Sequence, residues 1–582
     1  MQDHFKTVFS TPNVDLNPCS NFSKPTINFP LSDFNVTIEE ILAAIDEIKS
    51  NSAGPHYSIP ALIIKKCKYS LAKPLQLFCE KSFLSGTVPK YYKYQQITPI
   101  FNKGSKTNTA NYRPIALTSH IIKIIERVVR KKLVEFFEIN NIINANQHGF
   151  RKNRSCVTQL VFHIQNILDK LLTNDSVDSV YIDYAKAFDK VDHRILMKKL
   201  ELYGVTKQYL TWINSFLTER NQVVFVNGVY SYETKVISGV PQGSVLGPLL
   251  FIIFINDLSD QIVHSKILTF ADDTKLILPI NSQNDKISLQ QDLDSVSHWS
   301  KSNNMKENED KCELLIHTFN NNKKSNQNLL QQLPFSSEYF QYQTSQHLIL
   351  CPSTSVKDLG IYITPDLNWE THINRLYLTA TKTCAWILNV FSTRNKFVMI
   401  TLFNSLVRSK LEYCSELWDP SKIKLIDKIE QIQRNFTRKI NNMKDLDYWT
   451  RLKDLQIMSL QRRRERQILI LVWKIKNNLI PNDINLEFSQ NKYTLKTKAI
   501  LKPLPRRAGK MQTSFEGSFL IKGAKLWNRL PSTLTEINKL SSFVARLENF
   551  LKLFPDEPPV HGYYHRNKNS LLDYNIVTEC VF

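Results

Sequence analysis

Tyr181-Ile182-Asp183-Tyr184-Ala185-Lys186-Ala187-Phe188-Asp189 and Phe270-Ala271-Asp272-Asp273, with Asp183 and Asp272 89 residues apart, are the two stretches whose reading decides this fold. Each follows or contains a short run rich in β-branched or aromatic residues, Ser179 to Ile182 and Ile267 to Phe270, and such runs read as strands. A further apolar run, Leu276 to Leu278, predicts a hairpin with the acids near its turn. Adjacent strands lie about 5 Å apart. Carboxylates on two paired strands can therefore share two divalent cations roughly 3.5 to 4 Å apart, and Asp183, Asp272 and Asp273 suffice as catalytic metal ligands.

Hard oxygen ligands favour Mg2+, with Mn2+ as the second candidate. Two such ions serve phosphoryl transfer, one activating an attacking hydroxyl and the other neutralising the leaving group. Either cluster alone would read as a turn dipeptide or a solvated strand end. Between them, however, lies Ser238-Gly239-Val240-Pro241-Gln242-Gly243-Ser244-Val245-Leu246-Gly247-Pro248, followed by the apolar stretch Leu249 to Ile255. Glycines permit close backbone approach to a ligand, which makes Pro241, Gln242 and Gly243 candidates for contact with substrate. The apolar stretch reads as a helix buried under the sheet.

The order Lys-Ala-Phe-Asp (186 to 189), Gly-Val-Pro-Gln-Gly-Ser (239 to 244) and Phe-Ala-Asp-Asp-Thr (270 to 274) resembles reverse transcriptases of retrotransposons that lack long terminal repeats, in particular the jockey-like and chicken-repeat-like groups. The resemblance extends upstream through Ile97 to Gly104, Asn111-Tyr112-Arg113-Pro114-Ile115 and Gln147-His148-Gly149-Phe150-Arg151, which are similar to the family's finger motifs. It implies that Arg113 holds the incoming triphosphate, as a guanidinium fork suits phosphate oxygens. It also implies that Lys103 assists and that Arg151 meets the template. Downstream, Trp299, Asn303 to Lys306 and Asp310-Lys311-Cys312 resemble the next palm motif, with Lys311 near the nucleotide as a proton donor to pyrophosphate. Val356 to Ile361 and Trp369 to Ile373 resemble the strand and turn that grip the primer.

Phe188, five residues after Asp183, matches the family's aromatic beside C2′ of the nucleotide, which implies that deoxynucleotides are selected. RNA-dependent RNA polymerases commonly place a second acid there instead. The chain departs from the family pattern at Gly54-Pro55-His56, where an acid usually follows Gly-Pro, and at Asn102, where a second base is common. Neither change touches the metal ligands.

A chain of 582 residues is too long for one ordinary domain. Its 75 Lys and Arg against 53 Asp and Glu, net +22, suit a polyanionic partner. Nine cysteines without a paired C-x2-C spacing support neither a zinc knuckle nor a redox motif and point to a reducing compartment. Neither a secretory core nor a run of about 20 apolar residues is present, so a soluble intracellular protein without a membrane partner is expected. The resemblance further implies presence in the nucleus during integration and in a cytoplasmic ribonucleoprotein.

Residues 1 to about 30 read as a flexible lead-in, and residues 37 to 86 carry helical periodicity. A region of 1–86 is expected to extend the fingers, with fingers and palm over 87–363 and a thumb with a basic helical region over 364–582. The stretch from Asn320 to Gln346 reads as an exposed polar insertion. In the last region Arg462, Arg463, Arg464 and Arg466 put cations around most of a helix turn, which suits nucleic-acid phosphate contact. Trp386, Trp418, Trp449, Trp473 and Trp527 read as core residues.

The expected fold is α+β with a right-hand polymerase architecture: fingers, a palm with an antiparallel sheet, and a thumb. The expected activity is RNA-directed DNA synthesis from a DNA primer or nicked target site, on an RNA template, with deoxynucleoside triphosphates and two Mg2+ ions. The alternative is a catalytically inactive or host-co-opted nucleic-acid-binding relic, against which the intact Asp183, Asp272 and Asp273 count. Elements of this family encode an endonuclease ahead of the polymerase, whereas here the resemblance starts almost at Met1. A truncated element product, a fragment, or a host-derived gene is therefore expected.

Overall fold

The computed structural model describes residues 1–10, 22, 24–31, 33–318, 341–481, 483, 486, 488–490, 499–501, 514–553 and 570–573. Most of the polar insertion expected from Asn320 onward lies outside them. In chain order the strands that position the site are β1 (Tyr94–Phe101), β2 (Tyr112–Leu117), β3 (Ser176–Ile182), β4 (Arg220–Val226), β5 (Val229–Tyr230), β6 (Thr234–Val236), β7 (Lys266–Phe270), β8 (Asp273–Ile280), β9 (Glu313–His317), β10 (Val356–Asp358) and β11 (Ile361–Ile363).

Four of them form an antiparallel sheet in the order β7-β8-β3-β9. Its two-residue period sorts the apolar side chains cleanly. Val180, Ile182, Ile267, Leu276 and Leu314 enter one core, while Val177, Tyr181, Leu268, Ile277 and Leu315 enter a second. The first core holds the helix Gly247–Ile255, in which every residue but Pro248 is buried, so the run read as a buried helix is one. The second core begins at the helix Cys156–Lys170 and continues into the C-terminal helices Glu370–Val390, Ile423–Thr437 and Leu460–Lys476. The sheet is therefore covered on both faces, and its strands read as nearly continuous apolar runs for that reason. The fold is α+β, as expected.

A second sheet has the order β2-β1-β4-β5, with β6 also on β4. Before it come the helices Ile38–Asp46, Ala61–Lys66 and Lys68–Leu84, which match the helical periodicity of residues 37 to 86. Thr37 opens the first of them through a reciprocal cap with Glu40.

The lead-in differs from expectation at its start. Gln2–Lys6 is helical, Phe5 packs with Ile97, Ala116 and Val224, and Gln2 donates to the Gln222 carbonyl at 3.3 Å. An apolar residue at the right place in a polar stretch has tied that segment down. Four of the five tryptophans named are buried, whereas Trp386 is half exposed on Glu370–Val390. Among the described residues no helix is long and apolar enough to cross a membrane.

Candidate active site

β7 and β8 form a hairpin whose turn is Ala271-Asp272, with Phe270 paired to Asp273. β3 runs antiparallel to β8 as far as Ile182 opposite Thr274. Extending that register by one residue brings Asp183 opposite Asp273. Burial raises the carboxyl of Asp272, and the charge of Asp183 adds to this while Arg113 and Lys311 oppose it. Burial, and next the charge of Asp272, push Asp273 up to about 7. Two buried carboxyls, Asp272 and Asp273, whose ionisation burial and a neighbouring acid disfavour are what a multiply charged cation relieves.

Lys311 already supplies one positive charge. Its Nζ lies 2.7 Å from Asp183 Oδ2, and Asn308 Nδ2 donates to the same oxygen at 3.1 Å. Among the described residues no three His, Cys, Asp or Glu side chains are gathered so that they could hold a metal ion as they stand. The chemistry of three carboxylates in this region of the fold suits hard cations such as Mg2+ or Mn2+.

The tight turn is clasped from outside. Ala271 has φ +55°, uncommon for a residue with a Cβ, and its N–H donates to Gln147 Oε1 at 2.9 Å. The His148 N–H donates to the Thr269 carbonyl at 2.9 Å, and the Thr269 N–H to the Asn146 carbonyl at 3.1 Å. A Cβ on Gly149 would stand 2.4 Å from the Ala271 nitrogen. The Gln147-His148-Gly149 stretch thus holds the acidic turn. Arg151 is committed the same way: Nη2 donates to Glu138 Oε2 at 2.7 Å and Nη1 to the Asn144 carbonyl at 2.8 Å. A template contact by Arg151 would have to compete with these partners for its fork.

The loop from Ser238 to Gly247 lies against the segment after Asp183. The Val240 N–H donates to the Phe188 carbonyl at 2.8 Å, and Gln242 Nε2 donates to Asp189 Oδ2 at 2.8 Å. Burial pushes Asp189 up to about 6, against the Gln242 bond. The Gln242 carbonyl accepts from the Ala116 N–H at 2.7 Å, and Gly243, at φ +113°, could carry no Cβ because the Ala116 oxygen lies 2.6 Å from its place. Pro241 accepts from Ser244 Oγ at 2.9 Å. Phe188 is half-buried and stacks on Phe251, with ring centroids 4.3 Å apart. Arg113 is exposed on β2, and Lys103 is exposed in the turn between β1 and β2.

One residue was missed by sequence reasoning. Glu126, on the helix His120–Ile139, is fully buried and accepts from the Val245 and Leu246 N–H groups at 2.7 and 3.0 Å. It fixes the far end of the loop. Only its acidic character inside an otherwise apolar helix face could have signalled it.

The four arginines expected to grip phosphate do not form a free basic face. Arg462 and Arg464 are each 1% exposed. Arg464 Nε meets Asp419 Oδ1 at 2.5 Å, Arg463 pairs with Glu412, Arg466 Nη2 meets Glu548 Oε2 at 3.0 Å, and Arg462 Nε lies 4.0 Å from Glu465. Each of these cations is set against an acid of the same region instead of standing on an open face, so phosphate contact by this helix would have to compete with those acids.

Residues 102–363 match the family described as reverse transcriptase (RNA-dependent DNA polymerase). The chain carries a reverse transcriptase domain. It is similar to the RNA-directed DNA polymerase from mobile element jockey of Drosophila melanogaster, 25% identical over 456 residues, 74% of this chain and 46% of that protein. It is also similar to the probable RNA-directed DNA polymerase from transposon X-element of the same species, 26% identical over 427 residues, 71% of this chain and 44% of that protein. The jockey polymerase of Drosophila funebris is 25% identical over 439 residues, 72% of this chain and 45% of that protein. This agrees with the family expected from the motifs. The chain spans about half the length of these curated relatives, and the reverse transcriptase domain implies a right-hand polymerase fold.

Proposed function

We propose that this chain is an RNA-directed DNA polymerase that extends a DNA primer on an RNA template. The observation that carries the reading is the convergence of Asp183 with the Asp272-Asp273 hairpin inside the reverse transcriptase domain, with an ammonium group against Asp183. In this reading the sheet β7-β8-β3-β9 is the palm, β1 and β2 with the helices before them are the fingers and their extension, and the helices from Glu370 onward begin the thumb.

Asp183, Asp272 and Asp273 would hold two Mg2+ ions, or Mn2+, which when bound activate a primer 3′-hydroxyl and neutralise the departing pyrophosphate. The chain's own groups orient the substrates. Arg113, whose positive charge reaches Asp272, offers its fork to the triphosphate, with Lys103 beside it on the β1–β2 turn. Lys311 Nζ holds the proton that the leaving pyrophosphate needs. Phe188, backed by Phe251, forms the wall beside the sugar. The Pro241-Gln242-Gly243 turn, pinned to Asp189 and Ala116, closes the pocket from below. The net charge of +22 suits the RNA and DNA partners. The likeness to polymerases of mobile elements supports priming from a nicked chromosomal target, with presence in the nucleus for that step.

Primer extension tests this with purified protein, poly(rA) template, oligo(dT) primer and Mg2+. The parent should extend, and Asp183→Ala should slow extension about a thousandfold or more while RNA binding stays unchanged. Near-native extension by Asp183→Ala, or a parent inert with both Mg2+ and Mn2+, would overturn the reading.

A further inference from the structure

Two residues past Asp273, on the same face of β8, Lys275 is buried with its Nζ 2.5 Å from Asp358 Oδ2 and 2.8 Å from Gln159 Oε1. Asp358 is the last residue of β10, equally buried, and the next two residues make the turn to β11 with Leu359 at φ +43° and Gly360 at φ +89°. The Leu359 carbonyl accepts from Tyr413 Oη at 2.8 Å, and a Cβ on Gly360 would touch the Tyr413 ring at 3.4 Å. A continuous set of contacts therefore runs from the carboxylate hairpin through Lys275 and Asp358 to the β10–β11 turn, and from there to the C-terminal helical region.

A buried ion pair is weak as a source of stability, because desolvation offsets most of the attraction and a well-packed apolar pair often does as well. What such a pair does supply is a single allowed placement, since sliding either partner leaves an uncompensated charge in the interior. Here the two partners sit on two separate hairpins, one of which carries the acids.

We propose that Lys275 and Asp358 are positioning residues: their ion pair locks the β10–β11 turn at a fixed height against the carboxylate hairpin, and so sets where the C-terminal helices deliver the primer end to Asp183, Asp272 and Asp273. This rests on the polymerase reading above. Neither residue touches substrate. Their effect is carried by the relative placement of two hairpins and a helical region, and it should show in the rate of nucleotide addition rather than in nucleotide affinity.

The test compares Lys275→Met, Asp358→Leu and the double variant in single-nucleotide primer extension and thermal melting. Each single variant should lose both stability and rate. The double variant should regain the parental Tm to within a few degrees but keep kcat at least tenfold down, with KM for the deoxynucleotide and affinity for the RNA–DNA duplex unchanged. A purely structural pair would return kcat together with Tm, and that result, or a loss confined to KM, overturns the proposal.

Tyr413→Phe gives an independent arm, because it deletes the bond to the Leu359 carbonyl, together with the hydroxyl's contacts to the Cys156 and Cys414 thiols, while keeping the ring of a partly exposed side chain. It should melt like the parent, lower kcat severalfold and extend mismatched primer ends more readily. An unchanged kcat there overturns the proposal even if the double variant does not fold. An inactive parent would instead sink the polymerase reading itself.

Discussion

Phe188 is packed into the fold and, in the function proposed above, also selects the sugar. Its ring lies against Phe251 at an interplanar angle of 14° and meets Phe150 edge-on, which backs the wall proposed above for the sugar. A steric wall discriminates by repulsion, so shortening it admits the competitor. Phe188→Val should raise ribonucleotide incorporation relative to deoxynucleotide, measured by single-nucleotide extension. Because the ring is only half-buried, it should cost about 1–2 kcal/mol of stability. Unchanged sugar selectivity in a folded variant would remove Phe188 from this role. Phe188 was singled out by the family resemblance, whereas its backing by Phe251 was not legible, since the two are neighbours only through the fold.

At the scale of elements, loops next to the acids are held by groups far away in sequence. Glu126 reaches the N–H groups of Val245 and Leu246 from a different helix. Charge-assisted bonds to buried amides are among the stronger ones, and deleting the acceptor orphans both donors. Glu126→Ala should therefore lower stability by about 2–4 kcal/mol and raise KM for deoxynucleotide. Glu126→Gln, which keeps an acceptor, should recover most of both; equal effects of Ala and Gln would show that the bonds to the loop are not what matters. The helix Leu460–Lys476 gives the opposite lesson. Its arginines are spent on Glu412, Asp419 and Glu548. Arg466→Gln should fold and leave the slope of log RNA affinity against log salt within about 0.7 of the parent, the change that one lost phosphate contact would give. A larger change in filter binding would restore the phosphate role.

Across the whole molecule, the acidic sheet lies between two cores, and the second of these carries buried carboxylates. Burial pushes Glu416 up to about 7, and Glu416 Oε2 has no hydrogen-bond partner among the described residues. Glu465 is pushed to about 7 as well, by burial against the pull of Arg462. For a carboxyl raised from its ordinary 4.5, the folded state holds the proton more tightly than the unfolded chain. Its contribution is full below pH 4.5 and is lost as pH rises through about 7. The C-terminal region should accordingly lose stability between about pH 5 and 8, by at most about 3 kcal/mol per group. Glu416→Gln should raise Tm at pH 8 and flatten the slope of Tm against pH. A slope identical to the parent would mean that Glu416 ionises freely in the folded protein.

The sequence by itself determined three of the four strands of the acidic sheet: a β-branched run before Asp183, a second before Asp272-Asp273 and a third after them read as strands and a hairpin, because side-chain period and turn placement are local properties, whereas β9 was not read. It equally determined the buried helix Gly247–Ile255, whose apolarity on every side leaves no solvent face. Only the tertiary structure decided the fate of the cations. Lys311, read as close to the nucleotide, lies on Asp183 across 128 residues of chain. Arg463, Arg464 and Arg466, read as a phosphate grip, find acids 51, 45 and 82 residues away. A charge takes its role from whatever the fold places within a few ångströms of it, and no local pattern contains that partner.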